Sequence, residues 1–541
     1  MKDNRIYIFL PLLLAFAIAT GIFIGSRYHV SSVNSKVFGL GFSKFNKLND
    51  IFNYIVEEYV DSIDREILID GSLSVIMQEL DPHSAYIPPK NLIAINEPLD
   101  GNFEGIGIEF RIIKDTVVVL NVIEGGPSKV IGIEAGDRVI EIDGHPVAGV
   151  GIENKDVVNV LRGGKGTRVD VSIMRRGTTA TLEYEITRGE IPIRSVVISY
   201  MITENIGLIK INRFSAKTYE EYQKAFDELS SKKLEGLILD LRGNPGGYLS
   251  ASINLADEFL PDQNLIMYTE GKSQPRNSYY ATAKGEYENR PLVVLIDQNS
   301  ASASEIVAGA LQDNDRGIII GRRSFGKGMV QRQYQFPDGS AIRLTIARYY
   351  TPTGRCIQRP YDHGLAEYYY KLYQRGEEEP NKIDSTYFAD SLKYTTPGGR
   401  IVYGGGGILP DILVELDTLG NSPYLDNIRS NNLMSRFAFD YTDHHRKQLL
   451  DFEDVRILDR HLMTTDDVMQ EFIAYADSNG VEFDETGYAI SKDRIAMWIK
   501  ALVADNLWSN SGLYPMLHKS DNDVQEAIRV LNAERNSTLE K

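Results

Sequence analysis

Apolar residues recur along this chain in several patterns, and each pattern marks a different kind of segment. From Ile6 to Gly25 there are 20 uncharged, mostly apolar residues, bounded by Arg5 and Arg27. That is about the length that crosses a bilayer, and the run has no polar face to suit it to a protein core. It is read as an uncleaved anchor, with a signal peptide cleaved at Ala15/Ala17 or Ala17/Ala19 as the alternative. Lys2 and Arg5 precede it while Arg27, Lys36 and Lys44 follow, so flanking charge leaves orientation undecided.

Helical spacing follows. Phe45, Leu48, Phe52, Ile55, Val56 and Tyr59 predict one helix, and Ile69, Leu73, Ile76 and Leu80 a second before Asp81-Pro82-His83 breaks the pattern. This small helical region is expected to end near Pro88-Pro89. A strand-rich stretch comes next: the β-branched run Thr116–Val122, the alternating Asp137–Asp143 and the alternating Val169–Met174. Between the last two, Asn154–Leu161 reads as a short helix with Val157, Val158 and Leu161 inward. From about 190 to 415 the pattern is mixed α/β, with strands at Ile206–Ile211, Gly236–Leu241, Leu292–Ile296 and Gly317–Ile320. The Tyr-, Glu- and Lys-rich stretch from about 360 to 400 reads as a surface insertion. After Asp417 the chain is mainly helical: Ile495, Trp498, Ile499 and Leu502 mark one helix, and Val524, Ile528 and Leu531 another. Asn536–Lys541 is read as a frayed tail.

Composition narrows the function classes. The formal charge of −17, with no basic stripe, argues against nucleic acid as a partner. One cysteine, Cys356, excludes a disulfide framework within the chain and any thiolate zinc site, and no base beside it suggests a nucleophile. The eight histidines show no zinc spacing, and His444-His445 lies in a polar, charged run. No metal or organic cofactor is implied.

Three segments remain that carry chemistry. Asn299-Ser300-Ala301-Ser302-Ala303-Ser304-Glu305 follows a buried strand and opens a helix, where small residues permit a sharp bend and free N–H groups meet negative charge. Read alone it fits an ordinary N-cap better than a nucleophile site. Ser324-Phe325-Gly326-Lys327-Gly328 offers a lysine between two glycines; partial burial would make it a base, exposure an ordinary loop cation. It lacks the spacing of a nucleotide-binding loop. Asp240-Leu241-Arg242-Gly243-Asn244-Pro245-Gly246-Gly247 ends another strand, either as a plain turn or as backbone N–H groups aimed at an oxyanion.

Together these segments resemble the C-terminal processing peptidases, the tail-specific protease family of serine peptidases. Asp81-Pro82-His83-Ser84-Ala85-Tyr86, Ala347-Arg348-Tyr349-Tyr350-Thr351-Pro352 and Gly407-Ile408-Leu409-Pro410-Asp411 extend the likeness from about residue 45 to about 415. The resemblance implies Ser302, the middle serine, as nucleophile and Lys327, 25 positions on, as its base. It further implies Gln331, one helical turn later, as the group orienting the lysine. Asp313 is implied as a supporting acid, and backbone N–H groups of Ala303 and of Gly246 or Gly247 as oxyanion donors. The strand-rich region resembles a PDZ domain with Gly105-Ile106-Gly107-Ile108 as its peptide-binding loop and Ile106, Ile108 and Leu161 lining an apolar pocket; the same residues also suit the small β core.

The implied architecture is multidomain α+β. It comprises a membrane anchor (1–30), a helical region (42–95), a β-rich PDZ domain (98–190), an α/β crotonase/Clp-like serine protease core (191–415) and a C-terminal helical extension (416–541). The implied function is a Ser/Lys endopeptidase at the bacterial inner membrane, its catalytic domain in the periplasm, or soluble there if the anchor is cleaved. Its implied partners are proteins with apolar C-terminal tails, and a homo-oligomer is compatible with the chain. Two rivals differ in their residues. A His-dependent PDZ protease needs a Gly-Asn-Ser-Gly-like loop that is not visible, and a scaffold on an inactive protease fold has no use for Ser302, Lys327 and Gln331 together.

Overall fold

The computed structural model describes residues 15–20, 47–374, 390–461 and 466–539. The apolar run Ile6–Gly25 lies outside them apart from the helical piece 15–20, and among the described residues no helix is long and apolar enough to cross a membrane. The chain divides into two compact units, Met1–Ser72 and Leu73–Lys541. The predicted helical spacing yields the helices Lys47–Glu58 and Arg65–Gln78. Leu48, Tyr54 and Ile67 stand exposed on them.

Pro88-Pro89 does not end the helical region as expected. Pro89 opens a further helix, Pro89–Asp100, because its fixed φ and missing N–H suit the first helical position. Gly101, at φ +81°, closes that helix.

The protease core is a six-stranded sheet. Its order is Val196–Met201, Ile206–Ile211, Gly236–Asp240, Leu292–Ile296, Ile318–Gly321, Ile412–Leu413, parallel except for the antiparallel first pair. Its central strands are mostly apolar and fully buried because both faces are covered, with Lys210 and Asp240 the buried charged exceptions. Helices Thr218–Ser230, Leu249–Asp257 and Ala303–Asp313 contribute to the core on one face. The other face meets Val524, Ala527, Val530 and Leu531 of the helix Asn522–Leu539. That helix continues to Leu539, past the start of the predicted tail.

A second, antiparallel sheet runs Ala85–Ile87, Ala341–Tyr350, Leu265–Gly271, Gln274–Tyr280, with Met329–Gln335 also paired to Ala341–Tyr350. The β-rich region forms a separate sheet in the order Ile108–Ile112, Val117–Val122, Arg138–Ile142, Arg168–Met174, Leu182–Thr187. The helix Asn154–Leu161 packs Val157 and Leu161 into its core.

The stretch 360–400 is more than a surface insertion. Its helix Leu365–Gln374 and hairpin Lys393–Thr395/Ile401–Tyr403 bury Tyr368 and Val402, while 375–389 lies outside the described residues. The C-terminal helices have their own core around Phe437, Phe472 and Ile499. They also grip the β-rich domain: Asp443 Oδ2 takes Arg138 and Arg176, each at 2.8 Å, and Arg111 Nη1 donates to Ser435 Oγ at 2.7 Å.

Candidate active site

The strand Leu292–Ile296 ends in a turn organised by Asp297, whose Oδ1 accepts the N–H groups of Asn299 and Ser300, each at 3.0 Å. The helix Ala303–Asp313 then begins, buried along its whole length. At its N-cap, Ser302 has φ +55° and ψ −111°. That conformation is costly for a residue with a Cβ and persists only where surroundings impose it.

The three serines part company here. Ser300 Oγ donates to Leu241 O at 2.9 Å, and Ser304 Oγ donates to Asn244 O at 3.0 Å. Ser302 lines a cleft of about 890 Å³, together with Ala303, Gly246, Gly247, Lys327 and Gln331.

Glu305 ties the two chemical segments together. Fully buried on the helix's first turn, its carboxylate accepts the N–H of Ser302 at 2.8 Å, of Gly326 at 2.7 Å and of Lys327 at 2.9 Å. Ser324 Oγ adds a fourth donation at 2.5 Å. Burial pushes the Glu305 carboxyl up, and the four hydrogen bonds oppose that rise by favouring the charged form. Desolvation pulls the Lys327 ammonium down, the Arg343 charge adds to this, and Glu305 and Asp81 oppose it. A lysine lowered in this way is one that can exist neutral.

The glycine turn approaches from the neighbouring strand. Asn244 O accepts the N–H of Ala301 at 3.0 Å, so the turn is bonded directly to the segment before Ser302. Gly246 has φ +97°, and a Cβ there would lie 2.8 Å from Ser302 Cβ and 2.9 Å from Ala303 N; only glycine fits. The Gly246 N–H is already donated to Asn244 Oδ1 at 2.9 Å. Of the two glycines named as possible oxyanion donors, Gly246 is thus the one whose N–H already has a partner within the turn.

Residues 205–365 match peptidase family S41, residues 105–186 a PDZ domain, and residues 424–509 a family of unknown function. The carboxy-terminal-processing protease of Bartonella bacilliformis is 36% identical over 322 residues, covering 59% of this chain and 73% of that one. The carboxy-terminal processing protease CtpA of Bacillus subtilis is 33% identical over 357 residues, covering 66% and 76%. This chain belongs to peptidase family S41. It is a carboxy-terminal processing serine protease with a PDZ domain. Among solved structures, a photosystem II D1 C-terminal processing protease is 28% identical, covering 69% of this chain and 87% of that one at a TM-score of 0.36.

In this S41 peptidase, Gln331 is not a helical turn beyond Lys327. It lies on the strand Met329–Gln335, and its Nε2 donates to Thr345 Oγ1 at 3.4 Å. Thr345, on the strand Ala341–Tyr350, is in turn bonded to the Asp81-Pro82-His83-Ser84 segment: its N–H donates to Ser84 Oγ at 3.1 Å, and Ser84 Oγ donates to Asp81 Oδ2 at 2.6 Å. Beside them, desolvation and the Lys327 charge pull His83 down to about 3, and its Nε2 lies 3.1 Å from Tyr368 Oη. The sequence flagged this segment only as a family motif.

Asp313 of the peptidase sits at the far end of the Ser302 helix. It pairs with fully buried Arg355 at 2.6 Å and accepts from Thr353 Oγ1 at 2.7 Å, which fixes the Thr351–Arg355 turn. Its support is therefore structural. Burial pushes the Cys356 thiol up, which keeps it protonated and unreactive.

In the PDZ domain, Ile106 and Leu161 are core residues and Ile108 is half-buried. The loop is pinned by its carbonyls, Ile106 O accepting from Ser128 N and Gly107 O from Ile123 N. Among the described residues, the strand Ile108–Ile112 pairs on one side only, with Val117–Val122.

The residue that sequence reasoning passed over is Glu305 in its linking role. Its signal was visible, since Ser302-x-x-Glu305 has capping-box spacing. That pattern predicts the bond to Ser302 N–H but not the three donors from 324–327.

Proposed function

We propose that this peptidase is a Ser/Lys endopeptidase that cleaves extracytoplasmic proteins near their C-termini, with its PDZ domain recognising the substrate tail. One observation carries the reading: Ser302, in a strained N-cap conformation, shares a cleft with a desolvated Lys327. Neutral Lys327 takes the hydroxyl proton of Ser302, whose Oγ attacks the scissile carbonyl. The first-turn N–H of Ala303 and the N–H of Gly247 receive the oxyanion. Lys327 then returns the proton to the leaving amine, and water hydrolyses the acyl-enzyme. Gln331 and Thr345 brace the wall beside the base.

The tail adds as a strand to the open edge of Ile108–Ile112, its carboxylate at Gly105–Ile108 and its last side chain toward Ile108. Docking both recruits the substrate and gates the protease. The apolar run Ile6–Gly25 supports an inner-membrane anchor with the catalytic domain in the periplasm.

The test is cleavage of a protein with an apolar C-terminus by the chain, beside Ser302→Ala and Lys327→Ala. Both variants are expected to be inactive, and cleavage unchanged in either would sink the assignment. If removal of residues 98–190 left cleavage of tailed and untailed substrates equal to that of the intact enzyme, recruitment and gating would both fail.

A further inference from the structure

The glycine turn that faces Ser302 has a neighbour from far along the chain. Arg242 stands at its root, its side chain 12% exposed. Nε and Nη2 hold the fully buried Asp240 carboxylate at 3.0 and 2.7 Å. Nη1 points the other way, to Asp521 Oδ1 at 2.9 Å and Asp523 Oδ2 at 2.8 Å, where the helix Asn522–Leu539 begins. Lys210 reaches Asp240 at 3.2 Å and donates to Arg242 O at 3.1 Å, and Arg322 reaches Asp523 at 3.2 Å. Three cations thus meet three carboxylates at the end of the sheet that carries the site.

Two residues beyond Arg242, Asn244 accepts the N–H groups of both Ala301 and Gly246. A displacement of Arg242 is therefore handed to the segment holding Ser302 through short, directional bonds. The C-terminal helix does not need this cluster in order to dock, since Val524, Ala527, Val530 and Leu531 already bury an apolar stripe against the sheet. Holding Arg242 is a separate task. With Nη1 released, a nearly buried guanidinium is left with unpaired donors and turns toward water, pulling on the root of the turn.

We infer that Asp521 and Asp523 are positioning residues for peptide cleavage, fixing Arg242 and through it the turn that presents the oxyanion donor. The inference rests on Ser302 and Gly247 acting as proposed above. It makes the C-terminal extension a working part of the active site.

The test uses the full chain with Asp523→Asn, Asp521→Asn and Asp523→Glu. Four quantities are measured: kcat and KM for a peptide substrate, inhibition by a peptide boronic acid that forms a tetrahedral adduct on serine, and Tm. Asp523→Asn is expected to lower kcat and boronate affinity together, on the order of tenfold, because a direct oxyanion donor is worth more than its support. KM stays within about twofold and Tm within about 4 °C. Asp521→Asn acts in the same direction more weakly, since Asp521 is the more exposed of the two. Asp523→Glu restores most of the loss.

Unchanged kcat and boronate affinity in both Asn variants overturns the inference, as does a loss that follows Tm and is not rescued by Glu. Ser302→Ala in the same assay separates the two levels. If it still cleaves, the underlying mechanism fails; if it is dead while Asp523→Asn is unchanged, only the positioning role fails.

Discussion

Glu305 Oε2 accepts the backbone N–H of Lys327 at 2.9 Å, across 22 residues of sequence, while it also accepts the N–H of Ser302. One buried carboxylate thus sets the spacing of two segments that arrive from different strands. A carboxylate is needed because every group facing it is a donor, and an amide would turn its own donors toward them.

Glu305→Gln is therefore expected to lower kcat on the order of a hundredfold and to destabilise the fold by about 1–3 kcal/mol. Glu305→Asp, with its shorter reach, should fall between the two. Steady-state kinetics and urea unfolding check this; a Gln variant with wild-type kcat would show that the clamp is only structural.

Lys327 must be neutral to act as a base, and burial lowers its pKa below that of a free lysine. The sign follows directly: activity is present above the folded pKa of Lys327 and is lost as pH falls through it. The kcat profile should rise with pH along a single limb lying below pH 10.5, the ordinary lysine value. Lys327→Arg should be inactive at every pH, because guanidinium keeps its proton.

Gly246 lies too close to Ser302, the proposed nucleophile, for any side chain. Gly246→Ala combines strain at φ +97° with a Cβ 2.8 Å from Ser302 Cβ, so it should reduce turnover by at least about a hundredfold. Labelling by a serine-directed fluorophosphonate should fall in parallel. Near-normal labelling would mean the turn does not shape the site.

His83 is kept neutral by burial and by the Lys327 charge, at a pKa of about 3 against 6.5 when free. Between those values the unfolded chain binds more protons, so stability rises with pH across that window and is lost on acidification. Allowing for partial exposure, His83 alone should account for about 1–2 kcal/mol of destabilisation between pH 6.5 and 5. His83→Gln should flatten that dependence in denaturant titrations at the two pH values. An equally steep slope in the variant would assign the acid sensitivity elsewhere.

Much of the frame was legible in the chain because it depends on local periodicity. The short, mostly apolar runs Ile206–Ile211 and Leu292–Ile296 have strand length and lie next to turn signals, and both appear as predicted. The helix Asn154–Leu161 appears with its predicted bounds, since its inward residues recur at helical spacing. The Pro88-Pro89 pair misled because a proline that breaks a helix interior also begins one well.

What the sequence alone determined was the family pattern and the three segments able to carry chemistry. Periodicity could not choose among Ser300, Ser302 and Ser304, nor between Gly246 and Gly247, because each choice depends on where a hydroxyl or N–H finds its partner. The tertiary structure engages Ser300 with Leu241, Ser304 with Asn244 and the Gly246 N–H with Asn244, while Ser302 and both glycines line the cleft. It also brings Asp521 and Asp523 to Arg242, some 280 residues away in sequence, which no local pattern announces. Hydrogen bonds and ion pairs act over about 3 Å of space, whatever the distance along the chain.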